Sequence, residues 1–489
     1  MPPAGCTDAD EPEASWQRGE ALVVASVALI AFFAQTAAFN GVRLDDAYIT
    51  YRYAQNLANG AGLVFNPGER LLGTTSPGLA LVGAPLYALV GKAAFPALID
   101  VLGCAGWTAQ AVLIYALLRK TLGSRGAAFV AIAIAAGAAR SYFWVPLETN
   151  IVMALVLGAF VLASRGAWVA CGAVAAVAVV FRPDALIACL PLAWLALRDR
   201  PAHPWRSLAS FAAVTGAWCA FALAFYGTIV PHTLRAKVGQ AGLAEYARHA
   251  MLRPALSLAP WTRIVDSTTA GSWLTVLPMW ALALAGGIVL GRRSRVLAGL
   301  AAYGTVITAA YVVLHPDTAF GWHLYPSTFV FAVFALAALA LSAARLRTWV
   351  ALPLACIAIL GLSHEAILFE RLEPELVDFG FRDGRDHSVA AYLAASAAPT
   401  DYVAAEEVGT LGYLSGLPMA DRPGLISEGA SAALVAALAG RPSRVRWAVL
   451  AAPDMQQMKR LLAPFRQVEF GEGGLSLTVV DLRAGGSRQ

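Results

Sequence analysis

The feature that most constrains this chain is a series of apolar runs, each close to the length that crosses a lipid bilayer. A transmembrane helix takes about 20 mostly apolar residues. Charged residues make up only 14% of the chain, whereas a soluble domain carries about 25%. We therefore predict a mainly α-helical, polytopic membrane protein in the cell membrane. Its eleven predicted spans are 21–39, 97–118, 127–142, 151–163, 168–181, 185–197, 208–225, 273–290, 296–314, 325–343 and 349–362.

One further apolar stretch, Leu79–Val90, decides the topology. It has about 12 residues with Pro85 inside, which is short for a span. Lys and Arg collect in short cytoplasmic loops, and five alternate loops rich in Arg fall on one side only if this stretch does not cross. We predict a re-entrant or interfacial helix here, a cytoplasmic N-terminus and an extracytoplasmic C-terminus.

The sequence divides into three predicted parts. Residues 1–19 form a polar cytoplasmic tail, and residues 20–363 form the membrane domain, with outer loops at 40–96 and 227–272. Residues 364–489 are more charged and alternate between helical and strand patterns, which predicts a small extracytoplasmic α/β domain. Its predicted helices are 387–397, 431–438 and 454–462, and its predicted strands are 402–405, 445–451 and 476–482.

Composition also argues against several classes of site and partner. The chain has no CxxC motif and no Cys/His cluster, so neither a disulfide framework nor a cysteine zinc site is supported. No basic block with interleaved aromatic residues is present, so nucleic acid is not a predicted partner. The predicted surroundings are the lipid bilayer and the outer aqueous face.

The first outer loop carries the densest polar information, including the adjacent carboxylates Asp45 and Asp46. Neighbouring residues on a helix point about 100° apart, so these two acids are expected to have different roles. One can face a catalytic cavity while the other caps the helix predicted at 47–58. The alternative is a pair of solvated loop acids, one of them an N-cap.

The run Asp45–Ala54, followed by Asn66–Glu69 and Thr75–Pro77, resembles the GT-C superfamily of glycosyltransferases. It is most similar to the actinobacterial arabinofuranosyltransferases that finish cell-wall arabinan, and more distantly to protein-mannosyltransferase-like and lipid A aminoarabinose transferases. Members use a polyprenyl-phosphate sugar and carry an essential Asp in the first outer loop. The resemblance implies an inverting enzyme that transfers a sugar, arabinofuranose as first expectation, to an extracytoplasmic cell-envelope glycan. Asp45 or Asp46 would be its general base.

Shorter matches lie further along the chain. Leu147–Thr149 resembles a Gly-Leu-Glu-Thr element of these proteins, with Pro146 in place of the glycine. Phe181–Asp184 resembles their Arg-Pro-Asp turn, and Tyr226–Lys237 resembles the start of their middle loop. Trp322–Pro326 lies where relatives often carry Arg-Tyr, but the arginine is missing.

The remaining predicted site residues follow from the lipid phosphate that is expected as the leaving group. Arg binds phosphate through two parallel hydrogen bonds and Lys as a point charge. The resemblance and the predicted topology together assign donor or phosphate binding to five residues and substrate-cavity positions to three more. The donor set is Arg52, Arg182, Lys237, His232 and Tyr325, and the cavity set is Glu148, Asp184 and His323.

Three alternatives stay open at this point. Arg182 can serve as a structural ion pair with Asp184 instead of binding the donor. A divalent metal ion could be bound by Asp45, Asp46 and His315, although loop histidines without a metal are common. The chain could also be a transporter or flippase of a lipid-linked sugar, but it lacks the paired halves with broken helices that many transporters show.

Overall fold

The computed structural model describes residues 19–30, 33, 43–136, 147–258, 270–316, 321–345, 382–427, 429–471 and 476–483. A helical part comes first in the chain and an α/β part follows it. The predicted span 349–362 and nearly all of the predicted N-terminal tail lie outside these residues. The helices of the first part are α1 Gly19–Ile30, α2 Asp45–Ala58, α3 Pro77–Ala136, α4 Thr149–Ser164, α5 Trp168–Phe181, α6 Cys189–Asp199, α7 Pro204–Tyr226, α8 His232–Lys237, α9 Leu243–Leu258, α10 Ala270–Arg293, α11 Arg295–Leu314 and α12 Tyr325–Arg345.

Five helices in the described part of the chain are long and apolar enough to cross a membrane. They correspond to α3, α7, α10, α11 and α12, the last together with the short turn before it, and α1, α4 and α5 are shorter apolar helices. Only 6% of the apolar window of α7 is buried, so this helix exposes a continuous apolar surface. A large exposed apolar surface marks an interaction site, and a lipid bilayer fits it. The total of eleven spans stays a prediction.

Helix α3 is not one straight rod, because Gly91 and Gly123 have φ angles of +74° and +72°. Glycine adopts this left-handed conformation without the steric cost of a side chain. The first segment, 77–90, corresponds to the stretch predicted not to cross. Just past one end of it, the Lys92 carbonyl accepts a hydrogen bond from the Tyr413 hydroxyl at 2.8 Å. Just before its other end, Gly73 packs against the Leu425–Ile426 backbone. Both ends of the segment therefore contact the C-terminal part, and the interfacial interpretation of the segment stays a prediction.

The C-terminal part forms a five-stranded mixed sheet in the order β2-β1-β3-β5-β4. Strands β2, β1 and β3 are parallel, and β5 is antiparallel to both β3 and β4. We call residues 382–483 the tail domain. Its elements are helix α13 at 382–396, β1 Tyr402–Ala405, α14 Val408–Ser415, β2 Met419–Asp421, α15 Ala430–Leu438, β3 Val445–Ala451, α16 Ala452–Leu462, β4 Arg466–Phe470 and β5 Leu477–Asp481.

Strand alternation sorts the sheet into two faces, because successive side chains point to opposite sides. Val403 and Trp447 belong to a core that also contains Tyr53 of α2 and Phe65, between α2 and α3. Ala404 and its neighbours face the other way, toward α15 and α16. One face of the tail domain thus shares its core with α2 and the segment between α2 and α3, and the other has a core of its own.

The tail-domain elements test the sequence patterns directly. The strands predicted at 402–405 and 445–451 are confirmed with the same ends, and the strand predicted at 476–482 is confirmed within one residue. The three predicted helices are also present, each starting one to five residues earlier. Helix α14 and strands β2 and β4 were not predicted, since each is short and lacks a clear apolar period.

Candidate active site

A cavity of about 420 Å³ opens where residues 46–76 meet the ends of several helices. Its walls come from the start of α2, the loop 73–76, the turn after α5, helix α8 and the end of α11. Polar side chains cluster on these walls, as expected of a binding site. They are Asp46, Thr50, Thr74, Thr75, Ser76, Glu148, Arg182, Asp184, Thr233, Lys237, Tyr311 and His323.

The two adjacent acids open the first turn of α2, where the helix dipole favours negative charge. Asp46 lines the cavity, whereas Asp45 does not. The separation expected from helix geometry is therefore present, but the predicted cap is not. Leu44 is the N-cap of α2 and makes no side-chain cap bond. The Asp45 carboxylate instead accepts hydrogen bonds from two backbone N–H groups at the start of α14.

Asp46 is paired with Lys237 on the wall of the cavity, with 2.9 Å between Oδ2 and Nζ. The Lys237 ammonium also lies 5.4 Å from the centre of the Trp322 ring. Helix α8, which carries Lys237, is tied at two points to the segment that precedes α3. The Thr233 hydroxyl donates to the Gly73 carbonyl, and the His232 N–H donates to the Leu72 carbonyl at 2.7 Å. These bonds hold the lysine opposite Asp46.

The opposite wall carries a buried network around Arg182. Helix α5 ends at Phe181, Arg182 is extended, and Pro183 starts a short 3₁₀ helix, which turns the chain back toward the cavity. Arg182 donates to both carboxylate oxygens of Asp184, at 3.1 and 2.7 Å, and lies 3.5 Å from Glu148. The Tyr311 hydroxyl donates to Asp184 as well.

This network favours the structural interpretation of Arg182. Its guanidinium is shared between two carboxylates, and the side chain is only 7% exposed. A guanidinium committed to a bidentate carboxylate pair has few donors left for a phosphate. Lys237 is therefore the better candidate for phosphate binding in this cavity.

We expect Arg182→Met to destabilise the protein by about 3–5 kcal/mol, because it leaves Asp184 and Glu148 buried without their cation. Thermal unfolding in detergent would measure the loss. The double variant Arg182→Met/Asp184→Leu removes one of the stranded charges, so it should recover part of the stability. Equal unfolding temperatures for the wild type and Arg182→Met would show that the network is not structural.

Four of the predicted donor or catalytic residues do not line this cavity. Asp45 contacts α14, as described above. Arg52 lies six residues, or about 600° of helix rotation, after Asp46, so it points elsewhere and donates to Gln55 and to the Gly416 carbonyl, each at 2.8 Å. Tyr325 donates to Gln110 at 2.7 Å, and the His232 side chain also lies outside the lining.

The candidate metal ligands do not converge. Asp45 is bonded to backbone N–H groups, Asp46 is paired with Lys237, and the His315 Nδ1 lies 2.8 Å from the Ala241 carbonyl. Within the described ranges, no three His, Cys, Asp or Glu side chains are grouped so that they could hold a metal ion. The set Asp45, Asp46 and His315 therefore does not fit a divalent metal site.

Several residues that line the cavity were not among the site residues predicted from the sequence. Tyr311 lies in a predicted apolar span, where nothing distinguishes it from a packing residue. Ser76 belongs to the Thr75–Pro77 motif, to which no chemistry was assigned, and Thr74 directly precedes that motif. The Thr50 and Thr74 hydroxyls lie 3.1 Å apart and add polar groups beside Asp46.

A loop of the tail domain packs beneath the cavity and depends on Asp421. One carboxylate oxygen of Asp421 accepts the N–H groups of Leu425 and Ile426, and this stretch contacts Gly73. The other oxygen is buried and has no hydrogen-bond partner among the described residues. Burial raises the pKa of Asp421 to about 6, and the nearby Asp46 charge adds to the shift.

The raised pKa of Asp421 predicts that the stability of the folded protein depends on pH. Because the folded protein binds this proton more tightly than the unfolded chain, stability should fall as pH rises from about 4 to about 6. Asp421→Asn keeps an oxygen for both N–H groups and removes the charge. We expect its unfolding temperature to fall less than that of the wild type over this range. Parallel curves would contradict the assignment.

Comparison with known proteins gives the fold. No protein-family model and no curated protein sequence matches the chain. ArnT from Cupriavidus metallidurans bound to undecaprenyl phosphate is 16% identical with a TM-score of 0.59, over 95% of this chain and 98% of that one. The oligosaccharyltransferase AglB from Archaeoglobus fulgidus, in complex with an inhibitory peptide and a dolichol-phosphate, is 14% identical with a TM-score of 0.55, over 94% and 74%. These likenesses extend over nearly the whole chain, which therefore shares the fold of ArnT and of AglB.

Proposed function

We propose that this protein is an integral membrane glycosyltransferase that moves a sugar from a polyprenyl-phosphate donor to a hydroxyl of an acceptor. The observation that carries this proposal is the Asp46–Lys237 pair, 2.9 Å apart on the wall of a cavity. A carboxylate can take a proton from an acceptor, and an ammonium can stabilise a phosphate. Two structures with the same fold hold undecaprenyl phosphate and a dolichol-phosphate, which supports the same donor class here.

The cavity also has an apolar side that suits a lipid donor. Leu186, Leu190, Leu234 and Val238 line it, and each is more than a third exposed. Exposed apolar side chains next to a polar site mark a place where apolar surface is covered in the functional state. An isoprenoid chain would cover these residues while its phosphate lies near Lys237. A nucleotide-sugar donor gives no reason for them.

The proposed reaction is a single displacement. Asp46 accepts the proton from the acceptor hydroxyl, whose oxygen forms a bond to the anomeric carbon. The bond from that carbon to the phosphate oxygen breaks, and its electron pair leaves with the polyprenyl phosphate. Lys237 stabilises the additional negative charge, which is the kind of interaction that supplies the largest share of many rate enhancements. Attack opposite to the leaving group inverts the anomeric configuration.

The finer part of the proposal concerns the sugar, the acceptor and the orientation of the protein in the membrane. The resemblance in residues 45–77 supports arabinofuranose as the sugar and a cell-envelope glycan as the acceptor. The Arg-rich loops predicted on the cytoplasmic side support an outer location for the cavity and the tail domain. Glu148, Asp184 and His323 would shape the substrate cavity, since all three line it. His323 stacks on Tyr311, with 5.2 Å between ring centres.

The experiment is a donor panel with purified protein in lipid nanodiscs. Polyprenyl-phosphate arabinofuranose, the matching mannose lipid and nucleotide sugars are offered with an arabinan or mannan oligosaccharide. We expect transfer from one polyprenyl-phosphate donor and none from the nucleotide sugars. Transfer from a nucleotide sugar alone would overturn the donor class. In sealed vesicles, movement of the lipid-linked sugar across the bilayer without transfer would instead establish a flippase.

A further inference from the structure

Helices α2 and α14 lie unusually close together, although about 364 residues separate them in sequence. A Cβ atom at Gly409 would lie 2.0 Å from the Asp45 carbonyl oxygen and 3.0 Å from the Ile49 nitrogen. Backbone atoms cannot give way as a flexible side chain can. This contact therefore requires glycine at position 409, and the tail domain is seated directly on the helix that carries Asp46.

Side chains of α2 hold α14 at both of its ends. Asp45 accepts the N–H groups of Gly409 at 3.0 Å and Thr410 at 2.7 Å. Arg52 donates to the carbonyl of Gly416, the C-cap of α14, at 2.8 Å. The negative charge lies at the N-terminus and the positive charge at the C-terminus, as the helix dipole favours. We call these contacts the α14 clamp.

The register of the clamp explains why both contacts form together. Asp45 and Arg52 are seven residues apart on α2, and Gly409 and Gly416 are seven residues apart along α14. An α-helix rises 1.5 Å per residue, so both intervals measure about 10.5 Å. Two parallel helices with matched intervals can be joined at both ends without strain.

The α14 clamp lies at the point of the sheet where the connections after two neighbouring strands, β1 and β3, diverge. The connections that leave β1 and β3 lead to opposite faces, with α14 on one and α16 on the other. Open parallel sheets bind ligands at such a point, and anions bind at the helix N-terminus there. In this protein the carboxylate of Asp45 occupies that position. The tail domain thus binds the Asp45 carboxylate at the position where other open parallel sheets bind an anionic ligand.

We propose that Asp45 and Arg52 are positioning residues, which clamp α14 against α2 and thereby hold Asp46 at its place in the cavity. This inference rests on the proposed function. Asp46 follows Asp45 directly in the first turn of α2, so any shift of that turn moves the Asp46 carboxylate relative to Lys237. The tail domain becomes part of the support of the active site.

The energetic position of Asp45 is consistent with this role. Burial raises the pKa of Asp45 to about 7, and the N–H groups of Thr410 and Gly409 offset that effect only in part. A raised pKa means that burying the ionised carboxylate costs free energy. The charge of Asp45 therefore lowers the stability of the folded protein and lies outside the cavity. Stabilisation of the fold does not explain why a carboxylate is present at this position.

The first test is steady-state transfer by Asp45→Asn, which keeps the side-chain volume and removes the buried charge, so it should fold. We expect kcat to fall about tenfold or more, because small misplacements of a catalytic group are costly. The KM for the polyprenyl-phosphate donor should stay within about twofold of wild type, since Asp45 does not touch the cavity. Asp401→Asn is the matched control, because Asp401 bonds the Ala398 N–H at 3.0 Å within the tail domain. It should leave kcat unchanged.

The second test asks whether Asp45 acts through Asp46. In a double-mutant cycle, Asp45→Asn should add no further loss to Asp46→Asn, because there is no carboxylate left to position. Gly409→Ala, which pushes α14 away from α2, should reproduce the kcat loss from the tail-domain side. Losses that multiply in the cycle, or unchanged kcat in Asp45→Asn and Gly409→Ala, would overturn the clamp. A wild-type protein without any transfer would instead refute the proposed function.

Discussion

Replacing Asp46 with Asn is expected to lower kcat for sugar transfer at least about 10²-fold while the protein stays folded and still binds the donor. An amide cannot accept the proton of the acceptor hydroxyl, and a general base contributes about 10²–10⁴-fold. The Asn side chain keeps the size of Asp46. Because the partner of Lys237 is then neutral, the binding of the donor phosphate to Lys237 should become slightly stronger. Initial rates at saturating donor and acceptor would measure the effect.

The control for this variant is Asp199→Asn. Asp199 is an exposed carboxylate that lies 3.6 Å from Arg295, outside the cavity, so its loss should leave turnover unchanged. Retained turnover in Asp46→Asn, with a folded protein, would remove Asp46 as general base. Glu148 and Asp184 would then be the remaining carboxylates in the cavity to consider.

Replacing Lys237 with Met is expected to lower kcat/KM for the donor about 10²- to 10³-fold. Lys237 would bind the phosphate in the ground state and stabilise the charge that grows as the phosphate leaves, so KM should rise and kcat should fall together. Methionine keeps much of the length and apolar character of the lysine stem and removes the ammonium, which lies 5.4 Å from the centre of the Trp322 ring. Kinetics over a range of donor concentrations would separate the two effects.

Arg235→Met is a closely matched control, because Arg235 lies on the same helix and does not line the cavity. Its removal takes the same charge from α8 and should change kcat/KM by less than about twofold. Lys237→Arg should recover part of the activity, since the charge returns with a different shape. If Lys237→Met and Arg235→Met had equal effects, the pair with Asp46 would not be the phosphate site.

Much of the architecture could be predicted from the sequence, because its signals are local. Apolar run length predicted α7 and α11, and strand periodicity predicted β1 and β3 with their observed ends. The helical period also predicted that Asp45 and Asp46 would separate. What local patterns missed were short elements such as α14, whose eight residues are held by contacts from distant parts of the chain.

The site was predicted less completely, for reasons that concern direction and distance. Six of the predicted residues line the cavity, and they are Asp46, Glu148, Arg182, Asp184, Lys237 and His323. Arg52 belongs to the same helix as Asp46 but to another face, which counting along α2 could have shown. The partner of Asp45 could not have been foreseen, because it lies 364 residues away. Tyr311 carries no signal within its apolar run.

The most direct test of the central claim is a single-turnover measurement on wild-type protein loaded with a polyprenyl-phosphate sugar. After acceptor is added, mass spectrometry follows the glycosylated acceptor and the free polyprenyl phosphate together. We predict that both appear at the same rate and in equal amounts, and that neither appears when Asp46 is replaced by Asn. Polyprenyl phosphate released without a glycosylated product, or equal rates in the wild type and Asp46→Asn, would contradict the account.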